Sequence, residues 1–152
     1  IDQNRGLNNQ EHMTVDSAGR VHVLLSHMPD TDEDDPDFSS ARSKSLFFHY
    51  WRNTNGIWTR TAMNFPVTGN INGKLAVSST NNLYAILPDL QIAGASYSSM
   101  WNEWTILSNE HSGIYFSDPL VDSYRLKNED VISIYYPVKN TANIQTLDYS
   151  IE

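Results

Sequence analysis

The chain contains no cysteine, which excludes a disulfide framework, a thiolate metal site and a cysteine nucleophile, and leaves the redox compartment unread. Positive charge is scarce: 10 Lys and Arg stand against 18 Asp and Glu, a formal net charge of −8. Such a surface repels the phosphates of nucleic acid and of anionic lipids, so neither nucleic acid nor a membrane is an expected partner. No apolar run approaches the roughly 20 residues that a membrane span requires, and Ile1–Asp2–Gln3 does not read as the start of a signal peptide. The helical pattern is missing too, because apolar residues nowhere hold a 3.6-residue period over three turns. What is present, over 152 residues, is one domain's worth of globular sequence with 39% hydrophobic and 11% aromatic residues.

Short runs rich in Val, Ile, Tyr, Phe and Thr recur throughout, each bounded by Asn, Asp, Gly, Ser or Pro, which predicts an all-β chain. The first expected hairpin joins His12–Asp16 to Arg20–His27 through Ser17–Ala18–Gly19. The second joins Ser45–Arg52 to Ile57–Met63 through Asn53–Thr54–Asn55–Gly56, where Asn-Gly supplies the positive φ of a tight turn. A second set follows at Lys74–Ser79, Leu83–Leu87, Gln91–Tyr97 and Trp104–Ser108. A third set comprises Leu120–Leu126, Val131–Val138 and Asn143–Ile151. The sets start 62 and 46 residues apart, at His12, Lys74 and Leu120. Four short strands at such a period are the signature of β-propeller blades. The expectation is therefore about three blades, two complete plus three strands, over residues 9–64, 73–109 and 114–152. Three blades cannot close a ring, so the chain is expected to be the C-terminal part of one larger propeller domain, its partners including the remaining N-terminal blades. A complete β-sandwich of about ten strands is the alternative.

Three segments carry a resemblance. Residues 7–22 (LNNQEHMTVDSAGRVH), 49–58 (HYWRNTNGIW) and 115–122 (YFSDPLVD) resemble, in order, segments of the BNR repeat-containing propeller family. That resemblance implies a seven-bladed β-propeller and, from the family's polysaccharide lyases, cleavage of rhamnose–glucuronate or ulvan linkages by β-elimination, in a secreted, extracellular protein. An acidic polysaccharide is then the expected partner. The sialidase Asp box is not matched, since Thr54 stands two positions before Gly56 and Trp58 two after it. The family's catalytic blade carries a His-Asn pair where this chain has Asn8 and Asn9, which implies that the principal catalytic base lies in the N-terminal portion.

In a propeller the loops entering the innermost strand, and those between the second and third strands, form the ligand face. This places Asn9, Gln10, Glu11 and His12 at the mouth, with His27 beside them and His111, Tyr115 and Asp118 at the third blade. All suit sugar hydroxyls. A lyase needs a group that neutralises the uronate carboxylate, a base for the C5 proton and a donor to the leaving oxygen. His12 and His27 are type-correct catalytic candidates, each with packing as its alternative, and Arg125, late in an expected inner strand, could reach the channel. His22 and His49 read as structural, and the aromatics Phe47, Tyr50, Trp51, Trp58, Trp101 and Trp104 as filling between sheets more than sugar stacking. Residues 30–37 hold six carboxylates in eight positions, so calcium on Asp30, Asp32 and Asp34 is a possible cofactor. The EF-hand template fails at Asp35 and Ala41, which favours a solvated loop. Two other functions remain open: a non-catalytic carbohydrate-binding propeller, and a propeller glycoside hydrolase using Glu11 and Asp118.

Overall fold

The computed structural model describes residues 5–7, 12–68, 72–109 and 118–151. Within these, the chain is mostly antiparallel β-sheet. β1 (His12–Val15), β2 (Val21–His27), β3 (Leu46–Arg52) and β4 (Trp58–Pro66) form one four-stranded sheet in sequence order. β5 (Lys74–Val77), β6 (Leu83–Leu87), β7 (Gln91–Ala95) and β8 (Thr105–Ser108) form a second. β9 (Leu120–Val121), β10 (Val131–Pro137) and β11 (Ile144–Ser150) form a three-stranded third sheet with β10 in the middle.

One turn design recurs. Asp16 accepts the Gly19 N–H through its carbonyl while its carboxylate accepts from the N–H groups of Ala18 and Arg20. Asn53 repeats this with Gly56, Asn55 and Ile57, and Ser78 does so with Asn81 and, through its hydroxyl, Asn82. In each the fourth residue is left-handed, at φ 77° for Gly19, 84° for Gly56 and 65° for Asn81. A short polar side chain at the first position and Gly or Asn at the fourth therefore set the hairpin register.

The middle sheet is covered on both faces, and β6 is buried throughout. That is why Leu83–Leu87 reads as an unbroken apolar run and not as an alternation. Towards the first sheet it packs Leu75, Val77, Leu83, Ala85, Leu87, Ala93 and Trp101 against Leu24, Phe47, Trp51 and Met63. Towards the third it packs Tyr84, Ile86, Leu90 and Ile92 against Leu126, Ile132, Ile134 and Tyr136. The opposite face of the first sheet leaves Met13, Val15 and Trp58 exposed.

Two short helices depart from the strand reading. α1 (Phe38–Ser43) interrupts the acidic loop, capped by Asp37, whose carboxylate accepts from the Ser40 N–H. α2 (Ser123–Glu129) replaces most of the expected strand Leu120–Leu126, because the Asp122 carboxylate accepts from the N–H groups of Tyr124 and Arg125 and turns the chain into a helix after two residues of β9. Leu126 fixes α2 to the core, and left-handed Asp130 ends it.

Candidate functional site

The first strands of the three sheets lie side by side and enclose a cleft of about 320 Å³. β1 contributes His12 and Thr14, β5 contributes Lys74, β9 contributes Leu120 and Val121, and α2 contributes Ser123 and Lys127. Two ammonium groups and an imidazole thus line one concave surface of a chain whose net charge is −8. Lys74 opens β5 as His12 opens β1, so both side chains stand at the entry to a first strand. Beside Lys74, Asp118 accepts from the Asn72 N–H at 3.0 Å and from the Asn72 side-chain amide at 3.1 Å, and pairs with Lys74 Nζ at 3.8 Å.

His12 has a defined role in this cleft. Its Nδ1 accepts the Leu75 N–H at 3.1 Å, bridging the first and second sheets. Burial, followed by the Lys74 ammonium, holds its pKa below the ordinary imidazole range, so the ring is neutral with its proton on Nε2. A ring in that state offers the cleft a donor. Its one basic lone pair is already occupied, which argues against His12 as the proton-abstracting base.

His27 does not join it. His12 pairs with Leu24, three residues from His27, so strand alternation sends the two imidazoles to opposite faces of the first sheet. The expectation that they sit side by side at one mouth is corrected on this point. His27 is almost fully buried and stacked on Phe48, donating from Nδ1 to the Met28 carbonyl at 2.7 Å and accepting the Tyr50 hydroxyl at Nε2, 2.8 Å away. Burial lowers its pKa and raises that of Tyr50, while Arg60, paired with Asp30 at 2.5 Å, bonds to the Tyr50 hydroxyl. The Tyr50–His27 hydrogen bond is a contact that strand reading alone did not assemble.

Arg125 is also corrected. It lies on α2 and not in a strand, and it binds Glu129 at 2.8 Å, Asp148 at 2.7 Å and the Ser133 hydroxyl at 2.5 Å. With three acceptors on its own side of the third sheet, it is not among the residues lining the cleft. The helix instead brings Lys127 there. The available signal was the register of the repeats: Lys74 stands where His12 stands, and Lys127 lies on the unit opened by Asp122.

The acidic loop is dispersed by cations. Asp30 pairs with Arg60, Asp34 with Arg5 at 2.9 Å and Asp35 with Lys44 at 2.7 Å, while the Asp32 carbonyl accepts from Arg5 at 2.6 Å. Lys44, with help from Ser40 and the Asp37 N–H, pulls the Asp35 carboxyl down to about 2. The calcium candidates Asp30, Asp32 and Asp34 do not converge, and among the described residues no three His, Asp or Glu side chains gather where a metal could sit. Asn9, Gln10, Glu11, His111 and Tyr115 lie outside the described residues.

His22 and His49 form the seam between the first two sheets. The Asp16 carboxylate, itself held by Arg20 at 2.6 Å, accepts from His22 Nε2 at 3.2 Å, which leaves His22 Nδ1 to accept from His49 Nε2 at 3.0 Å. His49 Nδ1 is then an unprotonated, buried nitrogen without a hydrogen-bond partner among the described residues. Burial, and secondarily His22, lowers the His49 pKa to about 3. Arg20 completes the seam by lying over Tyr97 and Trp101 of the second sheet, 4.5 and 4.8 Å from their ring centres.

No curated protein matches the chain. Over residues 1–65, a stretch that covers β1, β2, β3 and nearly all of β4, the chain matches the BNR repeat-containing family.

Proposed function

We propose that this chain is part of a secreted seven-bladed β-propeller polysaccharide lyase that cleaves a rhamnose–glucuronate linkage by β-elimination. The observation that carries the reading is the cleft in which Lys74, Lys127 and the Nε2–H of His12 face one space in an otherwise acidic molecule. A uronate carboxylate is the sugar substituent such a site selects. Neutralising that carboxylate makes the C5 proton more acidic, because the charge that develops on its removal is delocalised onto oxygens already held by cations. His12 adds a neutral donor to the carboxylate or to the leaving glycosidic oxygen. The base that removes the C5 proton lies outside the described lining, in keeping with the family resemblance, which assigns it to the preceding blades.

A second reading follows from the same imidazole. Because His12 Nδ1 is committed to Leu75, the cleft as described holds and neutralises a uronate without abstracting a proton, which is what a non-catalytic carbohydrate-binding propeller would do. Incubation with a rhamnose–glucuronate polysaccharide separates the two. The lyase reading expects new ultraviolet absorbance from the unsaturated uronate at the non-reducing end of the product. Saturable binding without that absorbance selects the binding module, and reducing ends without it select a hydrolase. Absence of both binding and product overturns the proposal.

A further inference from the structure

The second and third sheets pack tightly through Ile86, Ile92, Ile132 and Ile134, but towards β8 and β11 they separate around a cavity of about 650 Å³. On the face of the second sheet that meets the third, the isoleucines give way to Tyr84, Gly94 and Thr105, three residues paired across β6, β7 and β8. Leu107 lies over Gly94 so closely that a β-carbon there would meet Leu107 Cδ1 at 2.7 Å. Tyr149 faces this floor from β11, its hydroxyl 3.4 Å from the Leu107 carbonyl.

From these features we infer that the cleft between Tyr84 and Tyr149 is a second carbohydrate site, one that takes a neutral pyranose. Its volume suits a small ligand. The Tyr149 ring and Leu107, over a buried floor of Tyr84 and Ala95, provide the apolar contact that a sugar's C–H face requires, while Ser96, Ser99, Thr105 and Ser150 carry hydroxyls on the rim. Asn82 is already positioned, its carbonyl oxygen accepting the Tyr97 N–H at 2.9 Å and its amide bonding to the Tyr84 hydroxyl. Charge sets the class of sugar. No Lys or Arg is among the described lining residues, and Glu103 and Asp148 are, so a uronate or phosphate finds no cation to pair with. Asp148 is neutralised by Arg125 and bonded to Ser133, leaving Glu103 as a bidentate acceptor for two hydroxyls and little net charge to select an amine. The site lacks the cations of the lysine-lined cleft and does not depend on the chain being a lyase.

The test is a titration of the isotope-labelled protein with methyl β-D-glucopyranoside, its galactose and rhamnose counterparts, methyl β-D-glucuronide and methyl β-D-glucosaminide, following the tyrosine ring resonances. The inference expects saturable shifts of Tyr84 and Tyr149 with at least one neutral pyranoside and none with the glucuronide. It expects weaker binding in Glu103→Gln, and loss of those shifts in Thr105→Trp, an exposed strand position where an indole fills the cleft. Absence of saturable shifts with every neutral sugar overturns it, as does equal or tighter binding of the glucuronide or the glucosaminide. These readings come from the wild-type protein, so they stand even where a variant fails to fold. Failure of the lyase reading appears separately, as the absence of unsaturated-uronate absorbance on incubation with a rhamnose–glucuronate polysaccharide.

Discussion

Asp16 shows how much one carboxylate can organise. It closes the first hairpin, accepts from Arg20 and fixes the tautomers of two buried histidines in succession. Asp16→Asn keeps the shape but removes the charge beneath Arg20, and breaking a buried ion pair on one side is expected to cost about 3 kcal/mol. Urea denaturation measures it, and a loss within the roughly 0–1 kcal/mol of an exposed pair would contradict the assignment. A smaller test concerns Gly56, which sits at φ 84° with only the flexible end of Arg52 nearby. Gly56→Ala should cost about 1 kcal/mol through backbone strain alone. The legible part at this scale was residue type: His22 and His49 read as structural from their strand positions. What sequence could not supply was the face of each side chain relative to another sheet, which is why His12 and His27 were expected together and why Tyr50 was not linked to His27.

At the scale of elements, the strands were readable because each turn carries its own chemistry at fixed offsets. Asp16, Asn53 and Ser78 each precede a residue able to take positive φ by three positions, so hairpin register follows from local sequence. The two helices were not readable from periodicity. At six and seven residues, α1 and α2 span fewer than two turns, too short for an apolar stripe to show its period. Their caps were the only local signal, and Asp122 is the one that matters for the site, since it carries Lys127 to the cleft and Arg125 away from it. Asp122→Ala should destabilise the fold by about 1 kcal/mol, the usual value of a lost N-cap. Thermal unfolding checks this, with a helix loss in circular dichroism confined to one short element.

For the whole molecule, burial of imidazole sets the response to acid. His12, His22, His27 and His49 all have lowered pKa values, with burial as the first cause in each and His49 reaching about 3. Between those lowered values and the unfolded value of about 6.5, the unfolded chain binds more protons than the folded one, so stability falls as pH falls. Stability should therefore be full above about pH 6.5 and lost progressively below it. Denaturation midpoints measured at neutral and mildly acidic pH check this, and a midpoint that rises on acidification would contradict it. The two clefts also differ in charge, Lys74 and Lys127 lining the one between the first strands, and no Lys or Arg among the described residues lining the one between Tyr84 and Tyr149.

The functional proposal stands on recognition of a uronate carboxylate by the lysine-lined cleft. A calorimetric titration of a rhamnosyl-glucuronate oligosaccharide into the wild-type protein and into Lys74→Gln/Lys127→Gln, at low and at raised salt, tests it most directly. The expected result is saturable binding that weakens with salt and is abolished in the double variant while its unfolding temperature is retained. Binding that is indifferent to both lysines, or no binding by the folded wild-type protein, would contradict it.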